Sequence, residues 1–387
     1  LDEIGVDART SLKQVAAFPV ADGRSDGVGD VKVTGDRAVF AVQVKNGLEV
    51  VATSLSDAKE LWRSTVPDGT VDPEIGLLVN SSVVIVGSGT DEETGQPAAM
   101  HVLDAKTGAE RWQYDESPPS NPILGEDFVA VEEGDELRKF AVDDGTPLWS
   151  FPLPEERTVT RIGDPDAVIA DPQVVVTRLD APVQVVDIAG ERLLRTGVTI
   201  AAPQELLLAQ DGRFFVHKPY EEDGKGDYRT ASYRLDRFGD SWTLPPRAGR
   251  GQVLSWAVCS GRLYLGYNEE VVALDAGTGR QLWSTRIEEQ GELGVDCVGP
   301  HVMVSQDQRT TVIGADGGKR LETEEWTAFE LDADRIGLIR GDVPDRRDML
   351  RDRDVTDLQE NAQGCDTSAT YLACGFAGGL VAWRFTA

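Results

Sequence analysis

The sequence predicts an all-β fold: an eight-bladed β-propeller of four-stranded antiparallel blades, with the N-terminal strand closing the last blade. Three observations carry this expectation. A strand–turn–strand unit recurs with end points at 62, 112, 149, 194, 242, 283 and 322, separated by 50, 37, 45, 48, 41 and 39 residues. A self-similar unit of about 40–50 residues that holds several strands is the sequence mark of a propeller. The turns of these units are rich in Asp and Gly, which supply side-chain caps and positive φ. Finally, the last unit lacks a fourth strand, while the first strand of the chain has no hairpin partner.

The unit is clearest in VVALDAGTGRQLW, Val271 to Trp283. Val271 to Leu274 is β-branched and apolar, as a buried strand requires. Asp275 to Gly279 forms the bend, and Arg280 to Trp283 restarts a strand that ends on a large aromatic. One such hairpin is marginal in water, so its apolar faces need neighbours.

In chain order, Leu1 to Ser11 is polar and unpatterned and reads as a linker remnant, before a single propeller domain over 12–387. Leu12 to Val20 is the lone strand. Blades are expected at 24–66, 70–115, 118–153, 158–199, 201–246, 250–287 and 291–324, with an eighth at 327–387 completed by 12–20. VATSLSDAKELW keeps Ala52 and Trp62, and HVLDAKTGAERW matches the unit at Val102, Asp104, Thr107, Gly108 and Trp112. Phe140 to Trp149 has a shorter turn. Val185 to Leu194 places Leu194 where the tryptophan belongs. Ser232 to Trp242 keeps the length, and Thr311 to Leu321 has lost the aromatic.

Thr370 to Thr386 runs through two strands and stops. Leu380-Val381-Ala382 aligns with Val271-Val272-Ala273, so the fourth strand is missing and Leu12 to Val20 fills its place, removing an exposed edge. A seven-bladed ring is the alternative if 158–199 or 291–324 is not a full blade. Arg340 to Gly364, with interleaved Arg and Asp, reads as an irregular insertion, either solvated or a partner-contact loop. Tyr220 to Tyr228 and Thr90 to Pro97 are smaller acidic insertions.

The recurrent Trp62, Trp112, Trp149, Trp242 and Trp283 read as structural blade-docking residues. A buried aromatic covers about 150–250 Å², roughly 4–6 kcal/mol at ~25 cal/mol per Å² as an upper bound. Trp256, Trp326 and Trp383 lie off the repeat position. Cys259 lies 24 residues before Trp283 and Cys297 lies 25 before Glu322, so the two occupy equivalent places in successive blades. Disulfides Cys259–Cys297 and Cys365–Cys374 are expected, although four cysteines allow three pairings. Such bonds point to an oxidising, extracytoplasmic compartment.

The net charge of −29 argues strongly against nucleic acid and anionic membrane surfaces as partners, since both would be repelled. Acidity of this kind keeps an exported protein soluble; a basic partner or cations at acidic loops are the other readings. No apolar run approaches the ~18 residues that cross a bilayer. The start at Leu1, with no basic or apolar signal segment, suggests a mature or trimmed form; any signal peptide, lipid anchor or membrane helix would lie upstream of it. The histidines, His101, His217 and His301, each sit in strand-like sequence without a second histidine at ligand spacing. Asp352, Asp354 and Asp357 are the nearest approach to a calcium loop but lack its glycine and distal Glu. No H-E-x-x-H, G-x-S-x-G or phosphate-binding glycine loop is present.

Ala273-x-Asp275-x-x-Thr278-Gly279-x-x-x-Trp283 resembles the repeat of the PQQ-like β-propellers, which include quinoprotein dehydrogenases and BamB-type outer-membrane assembly scaffolds. The dehydrogenases hold their quinone between a tryptophan and a disulfide of adjacent cysteines, with calcium and a catalytic Asp. Here the nearest cysteines, Cys365 and Cys374, are nine positions apart, and there is no C-x-x-C-H for heme. The resemblance therefore implies the non-catalytic, BamB-like branch, with no cofactor. The expected function is an extracytoplasmic binding scaffold, secreted or membrane-anchored, that contacts protein or cell-envelope partners through a loop face. A ligand-sensing ectodomain of a membrane receptor or kinase is one alternative, and a PQQ-dependent dehydrogenase another.

Overall fold

The computed structural model describes residues 11–19, 28–44, 47–67, 77–90, 97–114, 122–163, 172–178, 181–199, 206–220, 227–238, 242–244, 253–287, 293–298, 301–306, 309–324, 326–332, 335–340, 364–368, 370–376 and 379–386. They form eight four-stranded antiparallel sheets and one two-stranded sheet. Seven sheets are meanders of consecutive strands, over 28–67, 77–114, 123–152, 157–199, 206–243, 255–286 and 293–324. The eighth is composite: Gly364–Thr367, Tyr371–Phe376 and Gly379–Thr386 run in sequence, and Ser11–Pro19 adds as the outer strand beside Gly379–Thr386. This is the eight-bladed β-propeller, and the seven-bladed alternative falls because both 157–199 and 293–324 are complete sheets.

The last blade differs from expectation in its make-up. Trp326–Asp332 and Arg335–Arg340 pair only with each other among the described strands and lie against the seventh sheet. The eighth sheet takes its first strand from Gly364–Thr367 instead. The insertion expected over 340–364 falls almost wholly outside the described residues, as do Leu1 to Thr10.

The chain divides into two compact units. One holds the composite sheet and the sheets over 28–67, 77–114 and 123–152. The other holds the remaining four and the Trp326–Arg340 hairpin. Within each unit the apolar clusters lie between consecutive sheets. Val39, Ala41, Val50 and Ala52 of the first sheet pack with Leu77, Val84, Val86 and Leu103 of the next. Tyr264, Val271 and Ala273 likewise meet Val295, Val302 and Val304. The second strand of the first sheet is covered on both faces, so Arg37–Val44 carries an unbroken run of buried residues, Ala38 to Val42, whereas His301–Gln306 of the seventh sheet alternates. The outer strands are far more exposed, as in Pro147–Pro152 and Arg192–Thr199.

Candidate interaction surface

The repeated tryptophan is one half of a joint, and the next unit's turn is the other. Trp62 donates its indole N–H to Ala105 O at 2.9 Å, and its ring covers Gly108. Trp112 does the same with Val142 O (3.0 Å) and Gly145, Trp242 with Ala276 O (2.9 Å) and Gly279, and Trp283 with Ala315 O (2.9 Å) and Gly317. The spacing in D-A-x-T-G-x-x-x-W thus places a turn that receives one tryptophan beside a strand that sends out another. Trp149 is half-buried and stacks on Phe151, with ring centroids 5.9 Å apart.

The turn is shaped by its aspartate. Asp104 Oδ1 accepts the Lys106 and Thr107 N–H groups and the Thr107 hydroxyl, and Asp275 Oδ1 accepts the Thr278 N–H and hydroxyl, both at 2.8 Å. Arg111 bonds Asp104 Oδ2 at 2.8 Å and, with the Thr107 contacts, holds that carboxyl well below the usual carboxylate range. The glycine that follows adopts φ +70° at Gly279, where a Cβ would meet the Trp242 ring at 2.6 Å. Gly279→Ala is expected to cost about 2–3 kcal/mol, backbone strain plus displacement of the indole. Gly212→Ala, at φ +71° with nothing within 4 Å, carries the backbone term alone and should cost about 1 kcal/mol. Denaturant titration of the two variants separates the terms, and equal losses would mean that the indole contact contributes nothing.

One joint is built differently. In Lys59–Pro67, Glu110–Tyr114, Pro147–Pro152, Gln281–Arg286 and Lys319–Glu324 a bulge precedes the residue at the docking position, as between Ala52 and Thr53 opposite Trp62. The same shift between Val185 and Val186 puts Arg195, not Leu194, at the docking position. Arg195 donates to Leu235 O at 3.1 Å, in place of an indole. The receiving turn has changed to match: Phe238 stands where a glycine is expected, at φ +52°, and its ring covers Gly197 of the sending strand. The aromatic and the glycine have exchanged sides. In the seventh sheet Leu321 takes the docking place, opposite Val312.

Cys259 and Cys297 form a disulfide across the first strands of two consecutive sheets, with Cα atoms 5.8 Å apart. Cys374 is also disulfide-bonded, and the strand register sets Cys365 opposite it. The histidines fall on three different sheets. His101 is buried and bonds Glu110 through Nδ1 at 2.8 Å. His217, 2% exposed, meets the Thr230 hydroxyl at 3.1 Å, and burial pushes its pKa down to about 4. The folded state therefore binds fewer protons than the unfolded chain below pH 6.5. His217 should cost nothing above that pH and progressively more down to about pH 4, reaching about 3 kcal/mol. His217→Gln should flatten this slope between pH 7 and 4.5; a variant as acid-sensitive as the parent would rule the assignment out.

Among the described residues no group of three His, Cys, Asp or Glu could hold a metal ion. Asp352, Asp354 and Asp357 lie outside them. What the joints do present is a surface of turns. First-to-second and third-to-fourth strand turns share one end of each sheet, and in one unit they expose Asp36, Asp57, Glu126, Asp127, Asp143 and Asp144. In the other they expose Glu191, Asp211, Asp236 and Asp316. Sequence reasoning did not single these residues out, because each doubles as ordinary turn chemistry.

Solved structures share this fold at low identity. BamB from Moraxella catarrhalis superposes with a TM-score of 0.53 at 14% identity, covering 97% of this chain and 98% of that one. The computationally designed Ika8 protein matches at 0.55 and 13%, covering 96% and 99%. Sqt1 from Saccharomyces cerevisiae matches at 0.54 and 10%, covering 97% and 99%. No curated protein matches the sequence. The family model described as outer membrane protein assembly factor BamB matches residues 9–237 and 230–340. The chain belongs to that BamB family.

Proposed function

We propose that the protein is a non-catalytic, cofactor-free scaffold that works outside the cytoplasm, binding protein or other cell-envelope partners through the turn surface. The observation that carries this is the BamB family match along most of the chain. The Cys259–Cys297 disulfide supports an oxidising compartment. The exposed carboxylates of the turns, on a chain of net charge −29, favour partners with basic patches and oppose nucleic acid.

The test is affinity capture from a cell-envelope extract with the wild type and with an Asp143→Lys/Asp144→Lys variant. Both side chains are exposed, so the variant should fold. Retained partners are expected to leave the wild type by about 0.5 M salt, where surface charges are screened, and to bind the variant less. Nothing retained at any salt would refute the scaffold. Dye reduction on alcohols or sugars after addition of the quinone and calcium would refute its non-catalytic character.

A further inference from the structure

An outermost strand leaves one row of backbone N–H and C=O groups without a sheet partner, and natural proteins guard such edges. Most outer strands here are guarded. Pro147–Pro152 begins and ends on proline, and Trp242–Thr243 is two residues long. Four of the six residues of Lys319–Glu324 are charged, and both Lys59–Pro67 and Ser11–Pro19 close on proline. Glu110–Tyr114 and Gln281–Arg286 each expose only two positions.

Arg192–Thr199 is the exception. It has eight residues, RLLRTGVT, without proline, and five of them are exposed. Leu193 is 42% exposed, while Leu194 and Val198 are turned into the cluster shared with the next sheet. Beyond Arg195 the strand is uncharged and rich in β-formers. Its only charges are Arg192 and Arg195, both exposed, on a chain whose net charge is −29. Arg192 lies 3.4 Å from Asp187 with a side chain 68% exposed.

We infer that the Arg192–Thr199 edge takes an extended acidic segment of a partner protein as an added strand. Backbone pairing along the open edge supplies the affinity, and alternate side chains supply the choice of partner. Apolar residues of the incoming strand lie beside Leu193, and carboxylates come near Arg192 and Arg195. The partner's sign is set locally: at physiological salt the screening length is about 8 Å, and around this edge Arg192, Arg195, Arg234 and Arg237 outnumber Asp187, Glu191 and Asp236. Non-specific attraction to so acidic a protein would select lysine-rich segments instead. This assignment rests on the protein-binding reading above and adds to it a second docking element of opposite charge preference, separate from the acidic turns.

The probe is a fluorescein-labelled eight-residue peptide of alternating Glu and Val, followed by anisotropy at about 0.15 M salt. Saturable binding to the full chain is expected. Arg192→Glu, whose melting should match the wild type, is expected to weaken it about tenfold, as an attraction becomes a repulsion. A peptide N-methylated at alternate residues, with the same side chains but no donors on one edge, should not bind, and a Lys–Val peptide should bind more weakly than the Glu–Val one. Equal binding of the N-methylated peptide, equal or tighter binding of the Lys–Val peptide, or indifference to Arg192→Glu would overturn the assignment. So would a concentration-dependent dimer abolished by Arg192→Glu, since the occupant would then be a second copy. If extract capture persists while the Glu–Val peptide fails to bind, the edge assignment is lost and the scaffold reading stands.

Discussion

A chain lacking residues 1–19 is expected to lose its composite sheet, and to regain it when a Ser11–Pro19 peptide is added in trans. Ser11–Pro19 pairs antiparallel along the whole of Gly379–Thr386, from Ser11 opposite Thr386 to Pro19 opposite Gly379. Ala16 and Phe18 are buried in a cluster with Phe40, Val51, Leu380 and Ala382, so this strand also helps cover the first sheet. The contact is close enough to need glycine: at Gly379, φ +137°, a Cβ would run into the backbone carbonyl of Phe18. Net hydrogen bonds at about 0.5–1.5 kcal/mol each and burial of Phe18 at about 1.5–3 kcal/mol together reach on the order of 5 kcal/mol or more. That equals the lower end of a domain's whole stability. Limited proteolysis should cut the truncated chain within 364–386 first, and the peptide should restore protection. A truncated chain as resistant as the parent would show that the strand adds nothing there.

The same strand marks how far the sequence can be read. Its role was legible because both ends of the chain were incomplete units, and one four-stranded sheet needs both. The tryptophan joints were legible for a similar reason: a large aromatic at a fixed distance after an Asp-Gly turn repeats often enough to be seen. Arg195 was not, because a bulge slips the count by one residue, so Leu194 stood at the place reached by spacing. A signal existed in Phe238, which replaces the turn glycine of the next unit. Two complementary departures in neighbouring repeats mark one altered joint.

Gly364–Thr367 was hidden for another reason. Four residues of Gly, Cys, Asp and Thr after an Arg/Asp-rich stretch carry no period, and only pairing with Tyr371–Phe376 makes them a strand. Trp383 could not be placed from the repeat, yet it is 4% exposed in that sheet. The interaction surface was the least legible part. A scaffold face needs no catalytic geometry, so its residues look like the turns and edges that the fold requires in any case.

Replacing both Cys259 and Cys297 by alanine is expected to lower stability by about 4 kcal/mol, the loop-closure entropy of a cross-link spanning 38 residues. The bond ties Ser255–Cys259 to Leu293–Val298, the first strands of two consecutive sheets, which otherwise meet through packed side chains and the Val295 N–H donated to the Ser255 hydroxyl at 2.9 Å. Both cysteines line the cluster that includes Ala257, Tyr264, Val295 and Val302. Two alanines keep that wall apolar and leave no free thiol, so the loss reports the cross-link rather than a new polar group. Cys365 and Cys374 stay untouched, and the comparison is with the oxidised wild type. In urea the midpoint should fall while the unfolding slope rises, because the unfolded chain opens further without the tie. An unchanged midpoint and slope would mean that the cross-link only decorates a joint already closed by packing.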